Sequence, residues 1–208
     1  MTDNDQSASS EDDYAERLSA VQGVWWKRIL PVQAVYAWNL RRLDLGFVLD
    51  VGCGVGRNLE NLRGHGIGVD VSEAAVRFCR DKGFEAYSKS DFDAFGIASR
   101  HTFDSVLIAH VLEHVTRPEA IALLNEYQRL ARAGGKVVLI CPQERGYASD
   151  ESHVNFLDSH DLIDIAHEAG LAVERTYSFP FPRHFGKLFV YNESVVVART
   201  PRSVSSSG

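Results

Sequence analysis

The chain has 208 residues, 45% of them hydrophobic, which is enough for a single domain with a proper core. The formal net charge is −6, but residues 1–13 carry −5 of it, so the nearly neutral remainder predicts no broad basic surface for nucleic acid or an anionic membrane. No apolar run reaches the ~20 residues of a membrane span, and three separate cysteines, Cys53, Cys79 and Cys141, favour a reducing cytoplasm over a disulfide framework.

The two ends of the chain differ in composition from the rest. Residues 1–13 are acidic and polar, and residues 200–208 are rich in serine, so both are predicted to be disordered tails. A single domain is expected over 14–199. Within it, the apolar spacing of residues 14–44 predicts two helices, the second opening at Pro31. Trp25, Trp26 and Tyr36 on these helices either pack into the core or form a lid beside a ligand site.

From residue 47 onwards, short apolar runs alternate with helical stretches. The predicted strands are 47–51, 66–71, 84–88, 103–109, 136–141, 171–179 and 189–199, and the predicted helices are 57–63, 73–82, 118–131 and 160–169. Ser72 and Ser159 are the expected helix N-caps. The alternation predicts an α/β fold with a seven-stranded, mostly parallel sheet and helices on both faces. The last two runs lack a helix between them, so the last strand is expected to be antiparallel.

The first strand runs into a glycine turn, "VLDVGCGVGRN", with the spacing Asp50-x-Gly52-x-Gly54-x-Gly56. Glycines there let the backbone approach a ligand closely. The dinucleotide fingerprint G-x-G-x-x-G fails, because position 57 is Arg57. With "GVDVS", "SDFDAF" and "FDSVLIAHVLEHV" further on, the chain resembles the class I methyltransferases that use S-adenosylmethionine, and is closest to their broad small-molecule branch.

The resemblance implies a Rossmann-like sheet that binds S-adenosylmethionine at the carboxyl edge of its strands. The glycines would cradle the methionine part and ribose, Asp70 would accept hydrogen bonds from the ribose hydroxyls, and Asp91 with the Phe92 backbone would hold the adenine. Asp93 lies two residues on and is a second candidate for that role. The full implied set is Asp50, Gly52, Cys53, Gly54, Gly56, Asp70, Val71, Asp91, Phe92, Ala109 and His110.

The string "HVLEHV" spells His110-x-x-Glu113-His114, the H-x-x-E-H pattern that binds zinc when it lies on a helix. Here it follows an apolar strand without a gap, so His110 is expected at a strand end, and no third ligand is evident. The sequence therefore predicts no metal site. His110, His114 and, in the loop after the fifth strand, His153 are instead candidate general bases for the methyl acceptor.

The predicted activity is methyl transfer from S-adenosylmethionine to an O, N or C atom of a small molecule. An RNA (tRNA) methyltransferase is one alternative, although the neutral charge makes a nucleic-acid partner unlikely. A non-catalytic regulator that binds the same cofactor is another. The sequence indicates a cytoplasmic protein without a membrane partner, and it does not indicate an oligomeric state.

Overall fold

A computed structural model describes residues 32–202. Its strands are β1 (Val48–Val51), β2 (Gly66–Asp70), β3 (Ala86–Ser88), β4 (Phe103–Ala109), β5 (Ala131–Pro142), β6 (Ala172–Phe179) and β7 (Glu193–Arg199). Its α-helices are α1 (Val32–Arg42), α2 (Arg57–Asn61), α3 (Glu73–Asp81), α4 (Lys89–Ala94), α5 (Ile97–Arg100), α6 (Arg117–Tyr127), α7 (Glu144–Tyr147) and α8 (Ser159–Glu168). Short 3₁₀ turns occupy Leu112–His114, Gln128–Leu130 and Arg183–Lys187.

All seven strands form one sheet in the order β3-β2-β1-β4-β5-β7-β6. Strands β1 to β5 pair in parallel, whereas β7 lies antiparallel between β5 and β6. The predicted fold class, including the single antiparallel last strand, is confirmed. The strand order reverses between β1 and β4, and in open α/β sheets ligands bind in the crevice at such a reversal.

The sheet is apolar on both faces, as expected when helices cover both sides. Successive side chains of β4 alternate between two core clusters: Val106 and Ile108 join one, and Leu107 and Ala109 join the other. Helices α6 and α8 contribute to the first cluster and α1 to the second. The helices are therefore held on the sheet by buried aliphatic side chains, each contributing roughly 1.5–3 kcal/mol.

Helix N-caps were predicted correctly in one place and wrongly in another. The Ser72 hydroxyl accepts a hydrogen bond from the Ala75 amide at 3.3 Å, which confirms it as the cap of α3. The predicted cap Ser159 is wrong, because α8 is capped by Asp158, whose carboxylate accepts from the amides of His160 and Asp161. A carboxylate also complements the positive end of the helix dipole.

The boundary between α6 and β5 also differs from the prediction. The helix expected over 118–131 ends at Tyr127, since Ala131 already pairs with Phe103 of β4. Gly135 permits this early pairing, because a Cβ there would lie only 2.8 Å from the carbonyl oxygen of Asp104. Gly134 and Gly135 thus lie inside β5.

Strand β3 is shorter than predicted. It begins at Ala86 rather than at residue 84, because the Phe84 amide donates to the Cys79 carbonyl and so completes the end of α3. The segment after it forms the short helix α4, which places Asp91 in a first helical turn rather than at a strand end.

Of the two predicted leading helices, the second is described and confirmed as α1. Pro31, Trp25 and Trp26 lie outside the described residues. In α1, Leu40 is buried in the core, whereas Trp38 is 55% exposed and stacks on Phe179. Between residues 32 and 202, no helix is long and apolar enough to cross a membrane.

Candidate functional site

The glycine turn lies at the carboxyl edge of β1, as predicted. Gly52, Gly54 and Gly56 all have positive φ, at 69°, 50° and 78°. A Cβ on Gly52 would lie 2.3 Å from the Val111 side chain, and one on Gly56 would lie 2.9 Å from the Cys79 sulfur. Above Gly54, by contrast, nothing lies within 4 Å among the described residues. The turn is tightly packed underneath and open on the side where a ligand would sit.

Asp70, the last residue of β2, is tied to this turn. One of its carboxylate oxygens accepts from the Gly54 amide at 2.7 Å, and the other accepts from the Ser72 amide at 2.9 Å. A carboxylate oxygen offers more than one acceptor site, so both can accept further hydrogen bonds. Val71 follows with its side chain 86% exposed, which places an apolar surface beside the carboxylate.

Asp50, at the base of the turn, is fully buried. Asn58 donates a hydrogen bond to its Oδ1 at 3.2 Å, and its Oδ2 has no hydrogen-bond partner within the described part of the chain. Burial raises the pKa of this carboxyl to about 7; the Asn58 hydrogen bond opposes the rise and the nearby Asp70 adds to it. A buried, unpaired acceptor of this kind indicates a site for a donor or a cation.

The side chains of Cys53, Asp91 and Phe92 differ in their exposure at the site. Cys53 is 5% exposed, and a Cβ on Gly68 would lie 2.6 Å from its sulfur, so its side chain fills the space under the turn. Phe92 is also buried. The Asp91 carboxylate is 41% exposed and pairs with Arg80 at 3.6 Å. Only the backbone of Cys53 and Phe92 is therefore available to a ligand.

His110 follows Ala109 at the carboxyl end of β4, with a positive φ of 59°. Its Nε2 lies 2.8 Å from Oε1 of Glu193, and its Nδ1 lies 3.3 Å from Oε1 of Glu113. Burial lowers the pKa of His110, but the two carboxylates outweigh it and raise the pKa to about 10. The ring is 45% exposed, so the burial effect is weaker than in an enclosed site and the carboxylates decide the direction.

This geometry agrees with the comparisons with known proteins. Residues 49–139, which run from β1 through β5, match the sequence profile of the methyltransferase domain family. The chain carries a class I S-adenosylmethionine-dependent methyltransferase domain. In this methyltransferase domain, the glycine turn and Asp70 are among the residues that the sequence resemblance implies for cofactor binding.

Two proteins of known name resemble this chain in sequence, and a third, a solved structure, resembles it in fold. The ubiquinone biosynthesis O-methyltransferase of Xanthomonas oryzae pv. oryzae is 30% identical over 158 residues, covering 67% of this chain and 65% of its own length. The tRNA (carboxymethyluridine(34)-5-O)-methyltransferase alkbh8 of Xenopus tropicalis is 29% identical, covering 89% of this chain and 28% of its own length. A methyltransferase of Haloferax volcanii, solved with its activator Trm112, has a TM-score of 0.66 at 20% identity, covering 92% of this chain and 96% of its own.

The methyltransferase site contains two residues that the sequence interpretation missed. Glu193 is the first residue of β7, and because β7 is antiparallel, its start lies at the edge where the parallel strands end. Asn58 lies in α2 and holds Asp50. Asn58 could have been predicted, because it is a polar residue that follows the glycine turn within one helical turn. Nothing in the sequence near Glu193 signalled that it pairs with His110, 83 residues away.

The H-x-x-E-H string does not lie on one helix. His110 ends a strand, as predicted, and residues Leu112–His114 form a single 3₁₀ turn. The rings of His114 and His153 lie 4.7 Å apart, next to Glu113, so the fold brings a histidine from outside the string to its second half. The structure thus brings His114 and His153 together beside Glu113, and His110 contacts Glu193 as well as the same Glu113.

Proposed function

We propose that this protein transfers a methyl group from S-adenosylmethionine to an oxygen atom of a small-molecule acceptor. The observation that carries the proposal is the unpaired Oδ2 of Asp50 beneath a glycine turn that is open at Gly54. The oxygen acceptor is suggested by the printed names of two relatives, both of which are O-methyltransferases.

The residues present fit this cofactor. The α-ammonium group of S-adenosylmethionine is a cationic donor of the kind that the buried Asp50 oxygen lacks. The Asp70 carboxylate can accept from a cis-diol while it keeps its bonds to Gly54 and Ser72. The exposed Val71 offers an apolar contact for a flat ring such as adenine.

When bound, the cofactor supplies an electrophilic methyl group on a sulfonium. The chain's own contribution is to orient the acceptor at the edge of β4 and to exclude water there. Both ring nitrogens of His110 face carboxylate oxygens, so neither offers a free lone pair to take the acceptor's proton. We therefore assign His110 a positioning role, in which it holds Glu193 and Glu113 beside the acceptor. The proposed roles of His114 and His153 as bases rest on the sequence alone.

Transfer to tRNA is a second candidate function. It is favoured by the tRNA-methyltransferase relative, whose match covers 89% of this chain. The charge of the chain weighs against it: outside residues 1–13 the net charge is −1, so the sequence offers no excess of cations for the phosphates of RNA.

An experiment with methyl-labelled S-adenosylmethionine distinguishes the small-molecule acceptor from tRNA. The full chain is incubated with a panel of phenols and carboxylic acids, and in parallel with bulk tRNA, and the label is followed into each fraction. Labelling of a small molecule, abolished in Asp70→Ala and retained in the exposed control Asp44→Ala, supports the proposal. Labelling of tRNA alone would overturn the small-molecule acceptor, and failure to bind S-adenosylmethionine at all would overturn the whole proposal.

A further inference from the structure

The cluster of Glu113, His114 and His153 lies beside the methyl-transfer site, and of the three residues only Glu113 contacts a residue of that site, His110. Each residue offers one ligand atom, an imidazole nitrogen or a carboxylate oxygen, and these three atoms lie within 4.8 Å of one another. Glu113 and His114 come from the 3₁₀ turn after β4, whereas His153 comes from the loop before α8. The fold therefore joins two segments that are distant in sequence.

Backbone carbonyls fix the tautomer of both rings. Nδ1 of His153 lies 2.7 Å from the Tyr147 carbonyl oxygen, and Nδ1 of His114 lies 3.3 Å from the Ser152 carbonyl oxygen. A carbonyl can only accept, so each Nδ1 carries the hydrogen and each Nε2 keeps its lone pair. Metal-binding histidines are commonly oriented by such a bond from the nitrogen that does not bind the metal.

The carboxylate between these rings lacks a hydrogen bond on one oxygen. Glu113 is 1% exposed, and its Oε2 accepts from the Cys141 thiol at 3.4 Å. Its Oε1 lies 3.3 Å from Nδ1 of His110 and 4.0 Å from Nε2 of His153, and neither contact has hydrogen-bond geometry among residues 32–202. A buried carboxylate oxygen with only these contacts can still accept a cation on the side of His153 and His114.

We propose that Glu113, His114 and His153 bind one divalent transition-metal ion of the zinc class. Two imidazole nitrogens and one carboxylate oxygen are a ligand set that zinc accepts, with a fourth position left for water. Imidazole ligands favour zinc, iron, nickel or copper over magnesium or calcium. His110 is not a ligand, because its Nε2 is engaged with Glu193.

The geometry requires only a small closure around the ion. Ligand atoms about 2.1 Å from a tetrahedral zinc ion lie about 3.4 Å apart. The present separations, all within 4.8 Å, must therefore shrink by up to about 1.4 Å. The His114 side chain is exposed and can rotate towards the other two ligands. The Glu113 carbonyl already accepts from the amides of Val154 and Asn155 at 2.9 and 3.1 Å, so the loop is docked before the ion arrives.

The consequence is that the ion fastens the 143–158 segment to the turn at the edge of β4. This inference rests on the three residues and their partners, and not on the proposed acceptor. A metal site that orders this loop would be present whether the acceptor is a small molecule or RNA.

The test is a titration of the full chain, freed of any affinity tag and of metal, with Zn²⁺ by calorimetry and with Co²⁺ by visible absorption. One ion per chain is expected, together with the intense d–d bands of low-symmetry Co²⁺ and a higher melting temperature. His114→Ala and His153→Ala should each weaken binding by more than the roughly 10- to 100-fold loss typical of outer-shell partners. Glu113→Gln should weaken it as well.

His167→Ala, an exposed histidine in the last turn of α8, is the matched control and should bind as tightly as the wild type. Circular dichroism checks that each variant is folded; because His114 is exposed, its variant keeps the test valid if His153→Ala unfolds. Absence of saturable binding to the wild type would overturn the site. Binding that survives in both His114→Ala and Glu113→Gln, or that is lost equally in His167→Ala, would overturn it too.

Discussion

Asp50 shows how one buried side chain can couple stability to function. Its carboxyl is fully buried with a pKa of about 7, well above the ordinary value near 3.8, because burial disfavours the charged form. A group whose pKa is raised on folding contributes stability below its unfolded pKa. That stability is lost as the pH rises through the folded pKa.

We expect the cofactor-free wild type to lose on the order of 3 kcal/mol between pH 5 and pH 8 through this group, at 1.36 kcal/mol per pKa unit. Asp50→Asn cannot ionise, so its unfolding free energy should fall by less over the same range. Urea unfolding at both pH values measures this, with the exposed Asp44→Asn as control. A variant that loses as much stability as the wild type would show that Asp50 does not titrate in this window.

Asp70 is expected to contribute directly to the affinity for the cofactor. Asp70→Ala should weaken the binding of S-adenosylmethionine by roughly 1.5–3 kcal/mol, the usual range for hydrogen bonds to a charged group. The fold should survive, since the carboxylate bonds only to the local amides of Gly54 and Ser72. Calorimetry measures the affinity, and an unchanged value would place the ribose contact elsewhere.

The sequence predicted the positions of individual residues well where the pattern of one strand and its following turn was enough. Asp50 and Asp70 lie at the carboxyl ends of β1 and β2, the three glycines follow β1, and the structure places all of them at one sheet edge. The pair of His110 and Glu193 was beyond prediction, because only the antiparallel return of β7 brings it together. The same holds for His153, which reaches His114 through a loop without a periodic pattern.

At the scale of elements, helix ends show what local pattern can and cannot decide. Asp158 and Ser159 are adjacent and both can cap a helix, and only the backbone conformation decides between them: Asp158 is extended and caps α8. The β5 start was missed for a related reason: the helical pattern continues as a 3₁₀ turn over Gln128–Leu130, and it is the pairing of Ala131 with Phe103 of β4 that ends it.

Substitution of Asp158 and Ser159 in turn is expected to show which of the two residues caps α8. Asp158→Ala should lower the free energy of unfolding by about 1 kcal/mol, through loss of the bonds to the amides of His160 and Asp161. Ser159→Ala should change it by less than half of that. Urea unfolding of the two variants measures the difference, and equal losses would show that the side chain of Asp158 is not the effective cap.

Across the described part of the molecule, α1 is hydrogen-bonded to β6 and to the segment before β7 at the far end of the sheet. The Tyr177 hydroxyl of β6 donates to Asn39 at 2.9 Å, and the Tyr36 hydroxyl donates to the Tyr191 carbonyl, two residues before Glu193. Leu40 packs into the core below. The helix therefore supports the segment that leads into Glu193, the partner of His110.

Two truncations test this arrangement. Deleting residues 1–13 should leave cofactor affinity unchanged, because that acidic segment has almost no apolar surface to bury. Deleting residues 1–40 removes most of α1 and should lower both the melting temperature and the affinity. Calorimetry and circular dichroism follow both. A 1–40 deletion that melts and binds like the full chain would show that α1 neither supports the sheet nor shapes the pocket.

The position of β7 has a consequence for how the protein is made. It is the last of the seven strands described between residues 32 and 202, yet it fills the gap between β5 and β6. On the ribosome, the apolar edge of β5 at Val137–Ile140 must therefore wait without a partner until Glu193–Arg199 has emerged. An unpaired edge of this kind recruits strands from other chains. Ribosomes that stall before β7 are thus expected to release aggregating fragments, and chaperone demand should peak during synthesis of β6 and β7.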